Sequence, residues 1–144
     1  AIPARPGQTD ASGGLLGRLG GDFADLEGYF DAVLAHGPAI NNMMLVGHNT
    51  VRELVMGLDA REPTAAELTA MRAHITRAME QGACGFSTGL IYRPGRYSRT
   101  EEIIELARAV RPFGGLYTTH MRNEGDGLLE AVEDVLDDAM ERVF

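Results

Sequence analysis

The stretch GGLYTTHMRNEGDG, residues 114–127, sets the reading of the whole chain. Its first half is a short run of apolar and β-branched residues entered by a Gly-Gly turn, and GLYTTH predicts a strand. Its second half crowds His120, Arg122, Asn123 and Glu124 into five positions. The pattern that follows, GLLEAVEDVLDDAMERVF, is amphipathic. Leu128, Leu129, Val132, Val135, Leu136, Ala139, Met140 and Val143 share one helical face, with acids on the other. A strand that stops at ionisable groups and hands over to a helix is a βα unit.

Working outward, the unit recurs. SRTEEIIELARAVRPFGG predicts a helix that Ser98 or Thr100 caps, with Ile103, Ile104, Ala107 and Val110 facing inward. Before it stand a short strand, ACGFST, and a loop, GLIYRPGRYS. PTAAELTAMRAHITRAMEQG is a helix with Pro63 near its start, Gly82 past its end and a stripe of Leu68, Met71, Ile75, Ala78 and Met79. AINNMMLVGH reads as the first strand. Met43 to Val46 is continuously apolar, as in a strand covered on both faces, and a loop is expected from Gly47-His48-Asn49-Thr50. DFADLEGYFDAVLAHG predicts a helix capped by Asp22, with Phe23, Leu26, Phe30, Val33 and Leu34 inward and Gly37-Pro38 as its stop. Residues 1–21, rich in Gly and Pro, read as an irregular segment, and 22–144 as one folded body. One helix followed by three strand–helix units predicts an α/β fold with a parallel sheet.

Composition bounds the function classes. A formal charge of −8 argues against nucleic acid or an anionic membrane as a partner. The single cysteine, Cys84, excludes a disulfide within the chain and suggests a reducing, cytoplasmic setting. No apolar run approaches the ~20 residues of a membrane span. Walker, GxGxxG and CxxC patterns are absent, and GFSTG, residues 85–89, has the letters of a nucleophile elbow without a serine triad to go with it.

In βα units the loops after the strands gather on one rim, where ligands bind. That rim receives His48, then Ser87, Thr88 and Tyr92, then His120, Arg122, Asn123 and Glu124, while the opposite rim receives only Gly-containing turns. A histidine at a strand's end can bind a metal or act as a base, or it can be half-buried and satisfied by a carbonyl. Glu124 can orient it, take its proton, or pair with Arg122. His48 is open to the same two readings. Cys84, with no cation placed in sequence to lower its pKa, is expected to be structural. Arg93, Arg96 and Arg99 are expected to be solvated.

Three motifs in order, LVGHNTVRELVMG, GACGFSTGLIYRPGRYSRTEEI and GGLYTTHMRNEG, resemble the N-acyl-D-amino-acid deacylases, or D-aminoacylases, of the metal-dependent amidohydrolase superfamily. The resemblance runs from about Gly37 to about Val132. It implies a (β/α)8 barrel whose metal, usually zinc, activates water against the amide of an N-acyl-D-amino acid. It makes His120 a metal ligand and puts Ile91 and Tyr92 in the substrate pocket. It places His48, Ser87, Arg122, Asn123 and Glu124 behind the metal ligand or on the rim of the site.

Parts of that family's pattern are missing. The HxH motif of the first barrel strand, the ligating cysteine of the N-terminal part, the later histidine-bearing strand and the general-base aspartate have no counterpart here. The expectation is therefore a partial (β/α)8 barrel of three to four βα units, since a closed barrel takes ~250 residues. Such a piece would hold no zinc tightly, would carry no catalytic residue of its own with certainty, and would be inactive alone. It would self-associate or complete itself with the rest of a longer chain. The alternative is a non-catalytic α/β module that works by association. A dihydroorotase-like or hydantoinase-like enzyme is disfavoured, because its carboxylated lysine cannot exist in a chain without lysine.

Overall fold

The structure is a computed structural model and describes residues 25–136. Helix α1 spans Leu26–Ala35, followed by strand β1, Leu45–Gly47, and helix α2, His48–Met56. Helix α3 covers Ala65–Glu80, strand β2 Gly85–Gly89, and helix α4 Thr100–Ala107. Strand β3 is Leu116–His120 and helix α5 is Leu128–Val135. One-turn 3₁₀ segments precede α4 at Gly95–Tyr97 and β3 at Arg111–Phe113. The strands lie in the order β1-β2-β3, all parallel, with Val46 beside Phe86 and Phe86 beside Tyr117.

The parallel α/β expectation holds, but the first unit differs. No loop follows β1; the chain turns directly into α2 at His48. The residues α2 buries are His48, Val51, Arg52 and Met56. They form a proper helical stripe, yet two of the four are ionisable, so a search for apolar period passes over it. The first strand is also shorter and more open than expected. Met43 is 70% exposed and Ile40 78%, so an apolar run did not mean cover on both faces.

Side-chain caps set the starts of α1 and α3. Thr64 and Glu67 form a reciprocal capping box at the start of α3. At its other end the Ala83 amide donates to Ala78 and the Gly82 amide to Met79, a Schellman closure that needs the positive φ of Gly82. Asp25, not Asp22, caps α1 by accepting from the Gly28 amide at 3.1 Å; Asp22 and Phe23 lie outside the described residues. In α1 the buried set is Leu26, Tyr29 and Val33, while Leu34 is exposed. Asp25 also receives Gln81 Nε2 and an Arg77 guanidinium N–H, both at 2.9 Å, tying α1 to α3. Its carboxyl is held below the ordinary carboxylate value by the Gly28 amide first and Gln81 next. Neither Ser98 nor Thr100 caps α4: Arg99 is the cap residue, without a side-chain bond, and Ser98 donates to the Gly95 carbonyl at 2.6 Å.

The sheet has two unlike faces. Val46 and Phe86 point toward the helices and join Val51, Met71, Ile75, Met79, Ile103, Leu106 and Val110 in one core, with Tyr117 packed against it. Burying Phe86 completely contributes roughly 1.5–3 kcal/mol. Side chains alternate along a strand, so Leu45, Ser87, Leu116, Thr118 and His120 occupy the other face. No described helix covers that face, and Leu116 is 59% exposed. On α5, Leu129 is 77% exposed and Leu136 49%, so part of its apolar stripe is also uncovered. No described helix is long and apolar enough to cross a membrane.

Candidate functional site

His120 is the last residue of β3 and stands on the open face of the sheet. Its register partner is Gly89, the last residue of β2. The loop that leaves β2 turns at once: the Tyr92 amide donates to the Gly89 carbonyl at 3.1 Å, and the Leu90 amide donates across to the His120 carbonyl at 2.8 Å. That turn swings Tyr92 over the end of β3. The Tyr92 hydroxyl lies 3.4 Å from His120 Nε2, and the two rings meet edge-on with centroids 5.1 Å apart. On the other side, His120 Nδ1 is 3.3 Å from Glu124 Oε1. That distance is within ion-pair range, but the alignment fails for a hydrogen bond, and the buried Nδ1 has none. No backbone acceptor therefore fixes its tautomer.

The other residues singled out from sequence fall less evenly. Ile91 and Tyr92 are 40% and 57% exposed at the mouth beside His120. Ser87 lies on the same open face of the middle strand and donates weakly to the Val46 carbonyl at 3.4 Å. Arg122 is half-buried in the loop after β3. Asn123 folds back on its own loop, its Oδ1 accepting from the Gly125 amide at 2.7 Å, an Asx-type turn. Cys84 is a free, half-buried thiol donating to the Met44 carbonyl at 3.2 Å.

His48 requires a correction. It does not reach the rim but faces the helix layer with no exposure, edge-on to Phe86. Its Nε2 is 2.8 Å from Glu102 Oε1. The same carboxylate takes Arg52 Nη1 on both oxygens, at 2.9 and 2.8 Å. Arg52 also donates to the Arg61 carbonyl and to Met56 Sδ. Neither Glu102 nor Arg52 is among the residues singled out from sequence. The overlooked signal was spacing: Glu102 lies four residues before Leu106, and Arg52 four after His48 and four before Met56, all on buried stripes.

A second hydroxyl cluster sits toward the helices. Thr88 Oγ1 is 2.7 Å from Thr119 Oγ1 and 3.0 Å from the Tyr117 hydroxyl. It braces β2 against β3 just below the His120 level.

Among the described residues no group of three His, Cys, Asp or Glu could hold a metal ion. His120 offers one imidazole with a free nitrogen, and among the described residues Glu124 is the carboxylate within ion-pair reach of it. That donor set suits one corner of a metal centre and not a complete one.

No family model matches the chain. It is 45% identical over 131 residues, 91% of its length, to an N-acyl-D-glutamate deacylase of Alcaligenes xylosoxydans xylosoxydans. It is 45% identical over 112 residues, 78% of its length, to a D-aminoacylase of the same organism. The chain spans 27% and 22% of these two relatives. Among solved structures it resembles an N-acyl-D-glutamate deacylase of Bordetella bronchiseptica complexed with zinc and a phosphonate mimic of the tetrahedral intermediate. There the TM-score is 0.81 at 42% identity, over 99% of this chain and 30% of that one. It resembles equally a D-aminoacylase described as defining a novel subset of amidohydrolases, with TM-score 0.82 at 37% identity, over 98% and 30% of the two chains. A further D-aminoacylase structure, at TM-score 0.78 and 42% identity over 83% and 25% of the two chains, concerns a binuclear metal centre.

Proposed function

From a chain that is a relative of the N-acyl-D-amino-acid deacylases over about a quarter of their length, we propose that these residues form one arc of a (β/α)8 deacylase barrel. In this reading the open sheet face is the barrel interior. The substrate is an N-acyl-D-amino acid, and hydrolysis yields a carboxylate and a free D-amino acid. The observation that carries it is the placing of His120: strand end, open face, a ring nitrogen without a hydrogen bond, and Tyr92 leaning on its other nitrogen.

His120 would be one ligand of a metal centre completed by residues beyond those described. Bound zinc in such a site polarises water and carbonyl oxygen alike. What this chain's residues do is positional. Leu90 and Gly89 fix the loop, the loop fixes Tyr92, and Tyr92 limits the rotation of the imidazole. Glu124, within ion-pair reach, favours the orientation in which Nδ1 faces it. Ile91 and Tyr92 present apolar surface at the mouth, suited to the acyl chain or side chain of the substrate. Ser87, Arg122 and Asn123 shape the rim. One imidazole cannot retain zinc by itself, so the chain alone is proposed to be inactive, and its open face to be covered by the remainder of a longer polypeptide or by a second copy.

The test is the complete reading frame that carries these residues, assayed for release of D-glutamate from N-acetyl-D-glutamate. His120→Asn should lower bound zinc and reduce kcat/KM by more than about 100-fold. Unchanged zinc content and turnover would overturn the assignment. The 144-residue chain alone, given equimolar zinc, should release no amino acid.

A further inference from the structure

The loop bearing Tyr92 is held from an unexpected quarter. Asn49 is the second residue of α2, and its side-chain amide donates to the Gly89 carbonyl at 3.2 Å, on the last residue of β2. Its other atom, Oδ1, is buried and has no hydrogen-bond partner. It packs directly against Gly95, where a Cβ would come within 2.1 Å of Asn49 Oδ1 and 2.9 Å of the Gly89 carbonyl oxygen. One side chain therefore touches both ends of the loop running from Gly89 to Gly95. At Gly89 itself, a Cβ would lie 3.2 Å from Tyr92 Cδ2 and 3.4 Å from Asn49 Nδ2. Asn49, Gly89 and Tyr92 thus meet at one point.

Asn49 is itself held rigidly. Its neighbour His48 and the residue three further on, Arg52, are both tied to Glu102 of α4. The first turn of α2 is therefore anchored in the core before Asn49 reaches outward. A side chain whose own backbone is locked places its partner with less lost freedom than a mobile one.

We infer that Asn49 is a positioning residue that holds the 89–95 loop, and with it Tyr92, against His120. It touches no reacting group itself and acts through Tyr92. This inference rests on the deacylase reading only for its consequence in catalysis; the positioning can be measured without it.

The experiment is NMR of the complete reading frame with its aromatic residues isotope-labelled, following cross-peaks between the rings of Tyr92 and His120. The edge-on contact between His48 and Phe86 serves as an internal control for the fold. Asn49→Ala should remove the Tyr92–His120 cross-peaks and keep those of His48 and Phe86. Gly95→Ala, which forces a side chain into the place of Asn49 Oδ1, should do the same from the loop side. Persistence of the Tyr92–His120 contact in both variants would overturn the inference. So would loss of the control contact in both, since Asn49 would then support the fold as a whole. In the complete reading frame Asn49→Ala should lower kcat/KM by about 10–100-fold while bound zinc stays at the parent level. If the contact is lost in Asn49→Ala but His120→Asn keeps its zinc and turnover, the deacylase reading fails and the positioning stands.

Discussion

Two histidines stand at the same end of the sheet, at its two outer strands, and meet opposite fates. His48 follows β1 and turns toward the helices, where Glu102 and Arg52 complete a fully buried cluster. His120 closes β3 and turns toward the uncovered face, where its side chain is 39% exposed and meets Tyr92 and Glu124. The difference is one of side-chain direction across the sheet. A residue's neighbours follow from the face it occupies, and the face follows from where the strand stops and the helix begins. The buried cluster serves stability, and the open one is available to a ligand.

Substitutions should divide along that line. Glu102→Ala should have the largest effect, because it leaves Arg52 charged and buried without a counter-charge. A loss of about 3–5 kcal/mol is expected in urea denaturation. A loss under 1 kcal/mol would show that the cluster is solvated. His48→Ala should cost less, about 1–3 kcal/mol, since Glu102 keeps its two contacts to Arg52 while losing one to an imidazole. His120→Ala should shift stability by no more than about 0.5 kcal/mol, with its effect confined to zinc binding and turnover. A large loss of stability there would make the two histidines alike and erase the contrast.

The smallest effect concerns acid. Asp25 has its carboxyl depressed in the folded chain, so the associated stability is present above the unfolded carboxylate value and is lost as pH falls through the folded one. Below about pH 4, amides of α1 should exchange with solvent faster than those of α3. Asp25→Asn should remove that pH dependence. Equal protection of both helices down to pH 3 would separate α1 from this link.

The regular elements were open to sequence reading wherever period and caps agreed. Helix α3, with its stripe of Met71, Ile75, Ala78 and Met79, Pro63 near its start and Gly82 past its end, is one such case. The placing of His120 and Tyr92 at one strand-end mouth was also legible, because parallel βα topology gathers those loops whatever their detail. Helix α2 was not, since its inward stripe carries a histidine and an arginine. Nor was the role of Asn49, whose partners stand about forty residues away in the chain.

Residue order by itself determined the alternation of strands and helices, the parallel sheet, and the end at which ionisable groups collect. It could do so because those properties depend on local period and on the handedness of the connections. Only the tertiary structure decided that Glu102 pairs with His48 and Arg52 and that Asn49 grips the loop of Tyr92. Polar contacts between distant segments depend on angstrom-scale placement, and no pattern of residue types along a chain encodes that distance.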